Sequence, residues 1–244
     1  MNMMRFTTMK TKLRKYPSIF LILLLAISSC FLTGCVNQHP KDSKKISQGE
    51  SVETMLEITD PKEKQAVLNA KAKVKALSGN PRIVATSPAV ADICDKLDLD
   101  LVGVPKSSVS KIPSRYKKVK KVGLAMSPDM EIVSSLNPDW ILAPSSLETD
   151  LKPKFEELKN TEYAFLNLRS VQGMYRSVQE LGEIFGKQQE AEKMTKEFTT
   201  FYKSYTKRNK NKKHPKVLVL MGLPGSYVIA TENSYVGSLV KLAG

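Results

Sequence analysis

Short apolar runs alternate with amphipathic stretches from Pro81 to Leu166. Arg82-Ile83-Val84-Ala85-Thr86 reads as a buried strand, and Ser87-Pro88 as a helix start. A serine oxygen can cap free N–H groups, and proline suits the first helical position. The spacing predicts a helix to about Leu97, then a strand over Asp100-Leu101-Val102-Gly103-Val104. Residues 105–121, rich in Pro, Ser and Lys, read as a long loop. After Gly123-Leu124-Ala125-Met126, the triplet Ser127-Pro128-Asp129 repeats the helix-start signature, with Asp129 and Glu131 in the first turn, where carboxylates meet the positive end of the helix dipole. Trp140-Ile141-Leu142-Ala143 predicts a strand, 147–159 a helix, and Tyr163-Ala164-Phe165-Leu166 another strand. Strands alternating with helices predict an α/β fold with a mostly parallel sheet covered on both faces.

Residues 170–209 carry helical periodicity throughout. Val171, Met174, Val178, Leu181 and Phe185 repeat at three- and four-residue spacing, and the pattern restarts after Gly186 with Ala191, Met194, Phe198, Phe201 and Tyr205. Two helices follow, the second about 22 residues and so roughly 33 Å long, long enough to brace two lobes. Lys216-Val217-Leu218-Val219-Leu220-Met221 and Tyr227-Val228-Ile229-Ala230 predict strands, and a helix begins at Tyr235. Two strands and one helix do not enclose a core, so residues 213–244 read as the truncated start of a second α/β lobe.

The beginning of the chain has a different texture. Arg5, Lys10, Lys12, Arg14 and Lys15 form a basic leader without an acidic residue, followed by an apolar stretch from Ile19 to Leu32. That stretch is shorter than the roughly 20 residues a spanning helix needs. With Leu32-Thr33-Gly34-Cys35 at its end, it reads as a secretory signal of lipoprotein type, residues 1–34, with Cys35 as the lipidated new N-terminus. Residues 35–80 read as a lipid-anchored tether: 36–59 polar and flexible, 60–78 a helix with a weak apolar face. Residues 81–169 form the N-terminal α/β lobe and 170–212 the two helices.

The net charge is +14, of which the leader supplies five. The densest basic runs are 117–121 and 207–213, neither interleaved with aromatics. They read as solvated surface beside an anionic envelope, and no nucleic-acid partner is expected. Cys30 leaves with the signal and Cys35 is lipidated, so Cys94 stands alone and packs as a small apolar residue. No CxxC pair or His cluster indicates structural zinc.

Three stretches carry a family resemblance: Arg82–Thr86, Val122-Gly123-Leu124-Ala125-Met126-Ser127-Pro128-Asp129-Met130-Glu131, and Met221-Gly222-Leu223-Pro224-Gly225-Ser226-Tyr227-Val228-Ile229-Ala230-Thr231. They resemble the haem-binding substrate-binding lipoproteins of Gram-positive ABC importers, the IsdE type, within the class that serves siderophore, cobalamin and haem uptake. The resemblance implies a two-lobe, periplasmic-binding-protein-like fold with a long bracing helix, the first lobe complete and the second only begun. It implies a non-catalytic receptor that captures haem as transported ligand at the outer face of the cell membrane. Delivery would be to an ABC permease and its ATPase, with upstream haem-relay surface proteins as further partners.

On that resemblance Met126 takes the place of one iron ligand, a soft thioether that raises the haem potential. Pro88, Ala89, Ser107 and Ser108 fall beside the ligand, Pro88 and Ser108 with residue types that depart from the family's. Lys106 pairs with a propionate, and Glu131 takes the permease-docking place. The family's second iron ligand is a His expected beyond Gly244; this chain has only His39 and His214, and neither matches it. The alternatives are a siderophore binder of the same class, which favours cationic or aromatic groups over a soft ligand, and a non-functional truncated product. An exported enzyme is disfavoured, because Gly222-Leu223-Pro224-Gly225-Ser226 lacks the G-x-S-x-G elbow and a His-acid pair and reads instead as a turn between strands.

Overall fold

The computed structural model describes residues 52–244. The signal segment, Cys30, Cys35, His39 and most of the tether lie outside the described residues. At the centre is a five-stranded sheet: β1 (Ile83–Ala85), β2 (Leu101–Val104), β3 (Lys120–Lys121), β6 (Trp140–Pro144) and β7 (Glu162–Leu166). Its order is β3-β2-β1-β6-β7, and every neighbouring pair is parallel. Two antiparallel hairpins stand apart from it: β4 (Gly123–Leu124) with β5 (Ser127–Pro128), and β8 (Leu220–Leu223) with β9 (Ser226–Ile229). The helices are α1 (Val52–Leu56), α2 (Pro61–Lys75), α3 (Pro88–Lys96), α4 (Met130–Ser135), α5 (Glu148–Glu156), α6 (Val171–Phe185), α7 (Gln188–Asn209) and α8 (Tyr235–Ala243).

Strand side chains alternate between faces, so the continuous apolar runs of β1 and β6 feed two separate cores. Ile83, Ala85, Trp140 and Leu142 face one way and are covered by Val90 and Cys94 of α3 and by Val178, Leu181 and Ile184 of α6. Val84, Ile141 and Ala143 face the other way, onto Val133 of α4 and Leu151 and Phe155 of α5. Trp140 meets the edge of Phe185 at 5.6 Å, and Phe155 stacks on Phe165 at 5.7 Å. Lys120 and Lys121 form the edge strand β3, a placement that discourages pairing with another chain.

The helix ends follow local chemistry. Ser87 caps α3 and Ser170 caps α6, each oxygen accepting a backbone N–H three residues on, with Pro88 opening α3. Gly186 separates α6 from α7 at φ 70, a left-handed conformation that glycine adopts without Cβ strain. The 22 residues of α7 match the expected length. At the amino end of β2 Arg115 donates to Asp98 and Asp100, and Lys187 also donates to Asp98. These two cations hold the Asp98 carboxyl below the usual carboxylate range.

Four expectations change. The tether over 36–59 gives way at Val52: α1 is helical, and Met55 packs with Val171 and Leu242 against the rings of Tyr175, Phe198 and Tyr202. Its apolar residues are too few to show periodicity, and only neighbouring helices bury them. The loop over 105–121 contains β3, where two Lys carry no strand signal of their own. Ser127-Pro128 is strand β5, not a helix start; Asp129 is the cap, accepting from Ile132 N at 3.1 Å, and α4 begins at Met130. The hairpin partner β4 claims the Ser-Pro pair first. Finally, the strand predicted from Lys216 begins at Leu220, because its ladder ends with Ala230 N donating to Val219 O. The helix over 60–78 appears as α2, without a fully buried residue.

Candidate functional site

The strand order places β1 between two outward-growing halves, β2–β3 on one side and β6–β7 on the other. In open parallel sheets a crevice forms beyond the carboxyl ends of the strands where the order reverses, and ligands bind there. Here those ends carry the β1–α3 turn, the loop after β2, the β4–β5 hairpin after β3, and the β6 exit at Pro144-Ser145.

The β1–α3 turn is fixed from inside. Thr86 is buried; its N–H donates to Leu142 O at 3.0 Å and its hydroxyl to the same oxygen at 3.3 Å. Pro88 is half-buried, and Ala89 is exposed on the first turn of α3. The loop after β2 opens with Pro105, buried, then Lys106, exposed, Ser107, half-buried, and Ser108, exposed. Ser107 Oγ accepts from Ser110 N at 3.0 Å, closing a tight turn.

The hairpin is tied to that loop by backbone. Lys106 N donates to Gly123 O at 2.6 Å, Val122 N to Val104 O at 2.9 Å, and Asp129 N to Val122 O at 2.8 Å. Gly123 holds φ +94, and a Cβ there would stand 2.9 Å from Asp129 N and 3.0 Å from Ser127 O. Glycine is therefore required at the hairpin root. Ala125 and Met126 form the tip. Met126 is 73% exposed and Leu124 58%, while Val109 in the neighbouring loop is 94% exposed. Three apolar side chains on two backbone-joined loops thus face solvent, one of those loops also carrying the exposed Lys106. Glu131 is exposed in the first turn of α4, directly after the hairpin.

The structure thus joins Met126 and Lys106 through backbone, and the sheet order sets Pro88, Ala89, Ser107 and Ser108 on the same edge. Leu124 and Val109 were not singled out from sequence. An Ala-Met turn lacks the Gly or Asn that signals a tight hairpin, so the segment read as a helix approach. His214 is exposed, and its Nδ1 lies 2.6 Å from Gly244 O. Within Gly222–Ser226, Pro224-Gly225 forms the turn between β8 and β9, as the composition indicated. A polar depression of about 440 Å³, lined by Asn137, Asp139, Asn160 and Thr161, lies at the amino ends of β6 and β7. It has neither apolar lining of the kind an organic ligand needs nor a place at the strand-order reversal.

Residues 83–244 match the family profile described as periplasmic binding protein. The chain belongs to the periplasmic binding protein family. It is 41% identical over 168 residues to the high-affinity heme uptake system protein IsdE of Staphylococcus aureus strain Newman, covering 68% of this chain and 57% of that protein. A substrate-binding protein of an ABC transporter from Listeria monocytogenes EGD-e superposes with a TM-score of 0.64 at 46% identity, covering 68% of this chain and 64% of that one. S. aureus IsdE in complex with heme gives 0.63 at 39% identity with the same coverages. The chain therefore spans 57% of the length of the curated relatives it matches. The parallel sheet flanked by helices agrees with the α/β, periplasmic-binding-protein-like fold expected from the sequence. Among the described residues no helix is long and apolar enough to cross a membrane.

Proposed function

We propose that this protein is a membrane-anchored substrate-binding protein that captures haem outside the cell and delivers it to an ABC permease. The observation that carries the reading is the exposed Met126 thioether at the tip of a backbone-clamped hairpin on the carboxyl edge of the sheet. Its setting is a chain 41% identical to a heme uptake protein. A soft sulfur donor has no use in holding a bare ferric ion, which prefers hard oxygen ligands, but suits porphyrin iron. Leu124 and Val109 offer apolar contact to the macrocycle, and Lys106 pairs with a propionate. The Ala89 N–H in the first turn of α3, next to Pro88, with Ser107 and Ser108 alongside, meets polar groups at the ring edge. Glu131 docks the permease through a basic partner, and Cys35 holds the protein to the membrane by its lipid.

The test is a haem titration of the purified protein and its Met126→Ala variant, read in the Soret region. The reading expects a shifted band and faster haem loss in the variant. Identical spectra and loss rates would remove Met126 from the iron.

A further inference from the structure

We propose that Met126 is a site of peroxide modification, and that its conversion to methionine sulfoxide switches off haem holding. This rests on the reading that Met126 ligates the iron. The described methionines fall into two groups. Met55 is buried at 6% exposure, and Met130, Met174 and Met194 pack against the cores. Met126 and Met221 stand out at 73% and 57%. Thioether oxidation requires direct approach of the oxidant to sulfur, so exposure sorts the reactive sites from the protected ones.

The step balances with hydrogen peroxide as oxidant. A sulfur lone pair attacks one peroxide oxygen, the O–O bond breaks and an S–O bond forms. The departing hydroxide takes the remaining proton and leaves as water. Sulfur loses two electrons and peroxide gains them. The product presents a hard, polar oxygen where a soft thioether stood, and soft donation to the porphyrin iron is lost.

The hairpin does not have to unfold for this to occur. Its shape is set by backbone bonds, Lys106 N to Gly123 O and Asp129 N to Val122 O, and by β4–β5 pairing, none of which involves the Met126 side chain. An oxygen added to a solvent-facing sulfur buries no unsatisfied polar group. The chemistry thus changes the donor and leaves its position alone, which is what a switch requires. Met221, in the β8–β9 ribbon, is an internal control: also open to peroxide, with no place at the candidate site.

The experiment treats the haem-free full chain with dilute hydrogen peroxide, removes the peroxide, and maps sulfoxide by peptide mass spectrometry. Haem is then added and its loss to an excess apo-globin acceptor is timed. The proposal expects Met126 and Met221 to oxidise at least about ten-fold faster than Met55, and haem loss to accelerate in step with Met126 sulfoxide. Met221→Leu should behave as the parent, and Met126→Leu should lose haem quickly with or without peroxide. Oxidation of Met126 no faster than of Met55 would overturn the proposal. So would unchanged haem loss in the oxidised parent when Met126→Leu is fast, an outcome that leaves Met126 on the iron. Haem loss from Met126→Leu as slow as from the parent would overturn the ligand reading and the switch together.

Discussion

Replacing Glu180 by Gln should remove a pH dependence of stability that the fold builds into the packing of α2 on α6. Glu180 lies on α6 and hydrogen-bonds the carboxyl of Glu63 on α2; burial, then this bond, then the Glu63 charge push its pKa up to about 8, with Arg176 opposing. Arg176 spends one donor on Met55 O at 3.0 Å, and its buried Nε has no partner, so the guanidinium is only partly committed to Glu180. In the unfolded chain the carboxyl titrates near 4.5. Between those values the folded state holds a proton that the unfolded state has released. The contribution of Glu180 to stability is therefore full below about pH 4.5, falls as pH rises, and is gone above about pH 8.

One proton bound over that window is worth at most about 1.4 kcal/mol per pH unit, and the partial exposure of Glu180 lowers the cost. The expected loss between about pH 5 and pH 8.5 is roughly 2–4 kcal/mol. Glutamine keeps the hydrogen bond to Glu63 and cannot ionise. Trp140 is the single tryptophan and touches Phe185 on the same helix as Glu180, so urea unfolding followed by its fluorescence reports on this packing. Glu180→Gln should match the parent at the acid end and exceed it by about 2 kcal/mol or more at the alkaline end. Parallel pH profiles for parent and variant would refute the reasoning.

Phe155→Ala should cost about 3–5 kcal/mol in the same urea assay, since Phe155 is fully buried and stacked on Phe165; a loss under about 1 kcal/mol would mean the face under α5 is loosely packed. Gly123→Ala should cost about 1–3 kcal/mol and also speed haem loss, because the added Cβ meets backbone at the hairpin root; unchanged haem loss would separate the hairpin from the ligand. Cys94, wholly buried and with its thiol pushed up to about 12 by burial, should resist a thiol reagent at neutral pH until urea unfolds the chain; rapid labelling of the folded protein would contradict that packing.

Where local pattern and tertiary demand agree, the sequence was a sufficient guide. Ser87-Pro88 marks a real cap, Gly186 marks a real break, and the apolar runs at Ile83 and Trp140 are strands, because each signal is satisfied within a few residues. Failures cluster where a distant partner decides. Ser127-Pro128 has the chemistry of a helix start, yet pairs with Gly123-Leu124. Lys120-Lys121 becomes a strand only because β2 lies beside it. Val52, Met55 and Leu56 look like linker until α6 and α7 cover them.

The same division holds for the candidate site. The residue types, a thioether, a lysine, two serines and a Ser-Pro helix start, are written in the chain, and with them the family and the kind of ligand to expect. Their convergence is not, since residues 88, 106 and 126 belong to three separate turns. Strand order β3-β2-β1-β6-β7 brings those turns to one edge, and the backbone bond from Lys106 to Gly123 locks two of them together. Sequence determined the local elements and their chemistry because these depend on near neighbours. Tertiary structure decided which loops share an edge and which apolar side chains stay in water, because both depend on pairing between segments far apart in the chain.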